Sequence, residues 1–144
     1  MQNSKCFVWI AFMILILTAC NGNKNPGTKN EKSEEKVFIV NIVPDSAKLH
    51  DYLAYHEKVW PEVEAGFKKA GYQNITIYRY GFLLVMRISV PYGANLDSMG
   101  KLAESYSPRC AEWNKLMDSY QQGVPGTAPG QKWVEAKSFY EFRH

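Results

Sequence analysis

Between residues 37 and 142 the apolar and polar positions change period several times, and each change marks a predicted element. Val37 to Val43 is an apolar run rich in β-branched side chains and stopped by Pro44, the pattern of a strand covered on both faces. Asp45 or Ser46 then offers a side-chain oxygen to cap a helix. In that helix Leu49, Tyr52, Leu53, His56 and Trp60 follow the 3.6-residue repeat and define an inward stripe. Pro61 has no N–H for the carbonyl of Glu57 and pushes Trp60 out of helical geometry, so the helix should break and restart there. It ends near Gly71, a residue type suited to the left-handed C-terminal position.

Ile75 to Arg79 and Phe82 to Val90 read as two further strands joined by a tight turn at Tyr80-Gly81, the second apolar enough to lie centrally in a sheet. After the loop at residues 91–95, Leu96, Met99, Leu102, Ala103 and Tyr106 restore helical spacing. Ser107 and Pro108 suit the cap and first position of a new segment, with Cys110, Trp113, Leu116, Met117 and Tyr120 as its stripe. The prolines and glycines of residues 123–130 make a loop. Val134 to Phe142 is expected to close the chain as a strand, with Val134, Ala136, Tyr140 and Phe142 on one face and Glu135, Lys137 and Glu141 on the other. The order β-α-β-β-α-β is the split arrangement of an α+β, ferredoxin-like fold, in which helices cover one face of an antiparallel sheet. The other face would be bare and apolar, so a homodimer is expected.

Residues 21–36 contain no large apolar side chain and read as a flexible tether. Before them, residues 1–20 have the form of a secretion signal: Lys5, an apolar core from Phe7 to Leu17, and small residues ahead of Cys20. Leu17-Thr18-Ala19-Cys20 resembles the bacterial lipoprotein signal, in which the cysteine is lipidated and becomes the new N-terminus. A domain of residues 37–144 would then be held at the cell envelope, on the periplasmic face or the outer membrane, by a lipid on Cys20. Cys110 would be the sole thiol of that domain, a small buried hydrophobe without a disulfide partner. The net charge of +3 is too small and too scattered for a nucleic-acid partner. His50, His56 and His144 match no zinc spacing and no glycine-rich phosphate loop is present, so a reaction without metal or cofactor is expected.

His56 carries the candidate chemistry, being a titratable imidazole on an apolar stripe beside a proline break. With Tyr52 and Trp60 on either side, the gap there would be aromatic-walled and able to carry a proton near neutral pH. The run Tyr52-x-x-x-His56-x-x-x-Trp60-Pro61-Glu62 is followed by Asn74-x-x-Ile77-Tyr78, Leu83-Leu84-Val85-Met86, Cys110-x-x-Trp113-x-x-x-Met117 and Phe139-Tyr140. This series resembles the L-rhamnose mutarotase family from about Val37 to Phe142. The resemblance implies a dimeric α/β-barrel and a monosaccharide substrate, a 6-deoxyhexose such as L-rhamnose whose α and β anomers interconvert by acid–base ring opening. It implies His56 as the proton donor and Tyr52 and Trp113 as sugar contacts, with Trp60 counted among the binding residues. At two further sugar-contacting positions the rhamnose enzymes carry a tyrosine and a second tryptophan, where this chain has Ile75 and Asn114. L-Fucose or another free aldose is therefore a live alternative. Glu57, Glu62 and Asp118 stand near the motifs as candidates for a second proton-transfer group. A sugar-binding lipoprotein of the same fold, with weak turnover, is the competing function.

Overall fold

The computed structural model describes residues 32–144, and its first strand starts at Ser33. The signal segment, Cys20 and the tether up to residue 31 lie outside the described residues. Strands β1 (Ser33–Ile42), β2 (Asn74–Tyr80) and β3 (Leu83–Pro91) are antiparallel in the spatial order β2-β3-β1. The outer edge of β1 is shared by two short strands, β4 (Gln121–Gln122) and β5 (Val134–Glu135). Helices α1 (Ser46–Glu57), α2 (Pro61–Ala70), α3 (Leu96–Ser105) and α4 (Pro108–Tyr120) complete an α+β, ferredoxin-like arrangement. β3 has the central place its apolar run predicts.

Ser33 to Lys36, expected in the tether, belong to β1 and pair with β3. A ladder of backbone hydrogen bonds needs no apolar side chain, and here the charges find cross-strand partners: Glu35 with Arg87 at 3.3 Å, Lys36 with Glu135 at 3.8 Å. The β2–β3 turn is Gly81-Phe82, one residue later than expected, because Tyr80 pairs with Leu83. Gly81 has φ 57° and no non-glycine residue among the described residues has positive φ, so only the first turn residue requires the left-handed region, as in a II′ hairpin.

The caps follow the local sequence closely. Asp45 accepts hydrogen bonds from the N–H groups of Ala47 and Lys48 at 2.8 and 3.0 Å, and these bonds hold its carboxyl below the usual carboxylate range. Trp60 is extended (φ −63°, ψ 133°), Pro61 opens α2, and α2 closes on Gly71 at φ 93°. Ser107 caps α4, with Pro108 next. The stripe of α1 is rotated from the expected one: Tyr52 is buried and Tyr55 packs on the core, whereas Leu53 turns toward solvent.

Two apolar clusters fill the space between helices and sheet. Val40, Ile42 and Leu84 meet Tyr52, Val63, Trp113 and Met117 in one; Ile88 and Val90 meet Ala70, Met99 and Ala103 in the other. Gly66 lets α2 approach α3 closely, since a Cβ there would lie 2.7 Å from the carbonyl oxygen of Ala103. Cys110 is buried beside it, its thiol donating to the carbonyl of Glu62 at 3.3 Å.

The expected closing strand from Val134 to Phe142 is overturned. Ladder pairing stops after Val134–Glu135 and one further bond, from the Ala136 N–H to the carbonyl of Val37. Beyond it Phe139, Tyr140 and Phe142 are exposed. Adjacent Phe139 and Tyr140 would point to opposite faces of a strand, and the remaining edge of β1 presents Glu34, Glu35 and Lys36, so continued pairing would bury little apolar surface. The fourth strand position is thus filled in two pieces, with residues 123–133 looping away between them.

Candidate active site

A cavity of about 600 Å³ opens between the helix layer and the sheet, within the range of small-molecule sites. Its chemistry starts on the last two turns of α1. Tyr52 and His56 are one turn apart and stack with ring centroids 4.3 Å apart at 28°. His56 Nδ1 lies 2.9 Å from the carbonyl oxygen of Tyr52. A carbonyl only accepts, so Nδ1 carries hydrogen and Nε2 of the neutral ring has its lone pair free.

No buried side-chain nitrogen or oxygen among the described residues lacks a partner, and Nε2 has none, so Nε2 is accessible, on a ring that lines the cavity. Burial lowers the His56 pKa below its ordinary value, partly offset by the bond to the Tyr52 carbonyl. The ring therefore rests neutral at pH 7, ready to accept a proton. Burial also raises the Tyr52 pKa, against a smaller opposing effect of Gln121, so the phenol stays protonated.

Trp113 forms the adjoining wall, its ring centroid 5.4 Å from that of His56. Trp60 packs on Trp113 and is not in the cavity lining: the two rings meet edge-on at 5.3 Å, with the Arg109 guanidinium 3.6 Å from the centroid of the Trp60 ring. The restart at Pro61 turns the chain there, so the indole braces the wall. Tyr52, His56, Ile75, Trp113 and Asn114 all line the cavity, brought together from α1, β2 and α4. Of the three acidic candidates only Asp118 reaches it, and its carboxylate is paired with Lys132 at 2.7 Å. Glu57 and Glu62 stand outside the lining.

Gln121, Trp133 and Glu64 also line the cavity, and no motif singled them out. Gln121 opens β4, and Trp133 directly precedes β5. A lone tryptophan between a Gly/Pro loop and a β-branched residue was the available signal for Trp133; Gln121 had none.

An α+β domain whose aromatic, partly buried cavity holds one poised imidazole is equipped for acid–base chemistry on a small neutral polyol. The chain belongs to the L-rhamnose mutarotase family, whose profile matches residues 36–142. It is 37% identical over 102 residues to an L-fucose mutarotase of Xanthomonas campestris pv. campestris, a match covering 69% of this chain and 80% of that protein. Its fold is similar to that of the L-rhamnose mutarotase of Formosa agariphila, with a TM-score of 0.53 and 14% identity over 76% of this chain and 99% of the other.

Proposed function

We propose that this protein is an aldose mutarotase for a 6-deoxyhexose, lipid-anchored at the bacterial cell envelope through Cys20 and working as a homodimer. The observation that carries the activity is His56, with Nδ1 pinned to a carbonyl and Nε2 free in a sugar-sized aromatic cavity. Nε2 takes the proton of the anomeric hydroxyl as the C1–O5 bond breaks, with the electron pair going to O5. The open aldehyde rotates about its C1–C2 bond. On reclosure the imidazolium returns its proton to O1, so His56 is acceptor in one direction and donor in the other. Trp113 supplies a face for the C–H surface of the sugar, and the amide of Asn114 a partner for its hydroxyls.

The likeness to an L-fucose mutarotase, together with Ile75 and Asn114 at positions where rhamnose enzymes carry aromatic residues, supports a preference for L-fucose over L-rhamnose. Losing or gaining a hydroxyl partner discriminates by about 1–3 kcal/mol. The apolar outer face of the sheet, with Val37, Ile39 and Val85, supports pairing with a second copy. Saturation-transfer NMR between α and β anomeric protons, run on a panel of free aldoses, tests the reading. L-Fucose is expected to exchange fastest; a wide margin for L-rhamnose overturns the substrate, and exchange at the buffer rate for every sugar overturns the activity.

A further inference from the structure

Gln121 is the buried polar residue among the described residues, at 8% exposure, and its backbone role in β4 leaves the side chain unexplained. Its Nε2 lies 3.4 Å from the Tyr52 hydroxyl, and both residues line the cavity with His56. An amide N–H has nothing to accept with, so in this contact the phenol oxygen accepts. The Tyr52 hydrogen is left without a partner among the described residues. Gln121 Oε1 has none either, and since no buried side-chain oxygen among the described residues is orphaned, it is accessible, on a side chain that lines the cavity.

We propose that Gln121 is a positioning residue for ring opening: its N–H turns the Tyr52 hydroxyl hydrogen toward the ring oxygen of the sugar, while its carbonyl accepts from a neighbouring sugar hydroxyl. The assignment rests on the mutarotase reading and supplies the second proton transfer. As His56 Nε2 takes the anomeric proton and the C1–O5 bond breaks, O5 takes the Tyr52 proton. A phenolate and an imidazolium are left stacked 4.3 Å apart, with the Gln121 N–H donating to the phenolate oxygen. On reclosure O5–H returns its proton to Tyr52, the C1–O5 bond re-forms, and His56 gives its proton to O1. Every proton is back in place after one cycle. Proton transfer from a phenol to a departing alkoxide runs downhill, which a donor kept protonated by burial can use.

The test is a double-mutant cycle with L-fucose and L-rhamnose as probes, using Gln121→Met, Tyr52→Phe and the combined variant. Methionine matches glutamine in length, and phenylalanine keeps the stack on His56. Gln121→Met is expected to lower kcat about tenfold, the weight of one aimed hydrogen bond, and Tyr52→Phe about 100-fold. In the Tyr52→Phe background Gln121→Met should leave kcat within about twofold, because no hydroxyl remains to be aimed. KM should rise in both backgrounds, because the lost carbonyl contact does not depend on Tyr52. An equal kcat loss in both backgrounds overturns the assignment and leaves the mutarotase reading standing. No exchange by the wild-type protein with any sugar overturns both.

Discussion

Replacing His56 by glutamine separates the imidazole's chemistry from its packing. A glutamine N–H at the same helix position still reaches the Tyr52 carbonyl, so the hydrogen bond at 2.9 Å has a substitute. What is lost is the stack on Tyr52 at 4.3 Å and the contact with Trp113 at 5.4 Å, together about 1–3 kcal/mol, since each aromatic pair contributes roughly 0.5–1.5 kcal/mol. A domain of ordinary stability, about 5–15 kcal/mol, stays folded under that loss, with Tm lower by about 4–8 °C for each kcal/mol. Glutamine cannot take up and release a proton near neutral pH, so anomer exchange should fall about 100-fold or more.

The pH profile adds an independent sign. Burial depresses the His56 pKa below 6.5, so the neutral base is fully present above 6.5 and is lost as pH falls through the lower folded value. The acid limb of kcat/KM is therefore expected below 6.5, and it should vanish in His56→Gln. Stability follows the same direction: the unfolded chain binds the proton more readily, so the contribution of His56 is present above 6.5 and lost as pH falls through the folded pKa. Saturation-transfer NMR reads the exchange and thermal melts read the stability. Exchange within a few-fold of normal in a folded His56→Gln protein, or an acid limb centred above 6.5, refutes the reasoning.

Three other outcomes are expected. Gly66→Ala places a Cβ 2.7 Å from the Ala103 carbonyl oxygen and 3.3 Å from Cys110 Sγ; the crowding costs about 1–3 kcal/mol against roughly 1 kcal/mol of gained helix propensity, so urea midpoints should fall, and a rise contradicts the close approach of α2 and α3. Ile39→Asp puts a charge on the outer face of β1 and should shift sedimentation from dimer to monomer at micromolar concentration; wild-type protein that sediments only as monomer removes the homodimer. Cys20→Ser should release the protein from membranes or leave an unprocessed precursor, and a mature wild-type protein without acyl mass at residue 20 would sink the anchor.

The elements most legible in the sequence are those decided by local chemistry. Asp45, Pro61, Gly71, Ser107 and Pro108 act within one turn of their own position, and each marks a helix boundary where the pattern puts it. Tyr52, His56, Trp113, Ile75 and Asn114 converge on one cavity because the family motif already encodes the fold that joins them. Positions set by a distant neighbour were not legible. Leu53 and Tyr55 are equally plausible inward residues until α4 is in place, and Tyr55 meets Trp113 and Tyr120 across that interface. Trp60 satisfies the stripe by count, yet the turn at Pro61 moves it behind the wall. The alternation from Val134 to Phe142 suits a strand, but a strand needs an edge worth pairing with, and β1 offers charges there. Gln121 enters the site only because β4 pairs with Ile42, a contact spanning most of the domain.

The interrupted fourth strand divides the site into parts that can vary independently. His56 and Trp113 are held by α1 and α4, whereas Gln121 and Trp133 hang from two short pairings on β1. The residues between them close local turns of their own, Thr127 N–H to Val124 carbonyl and Gln131 N–H to Ala128 carbonyl, and Lys132 ties the far end back to Asp118. Insertions or deletions in that stretch would shift Gln121 and Trp133 relative to each other while leaving every bond between β1 and β3 in place. Sequence change confined to the loop can therefore alter one side of the cavity while His56 keeps its seat on α1.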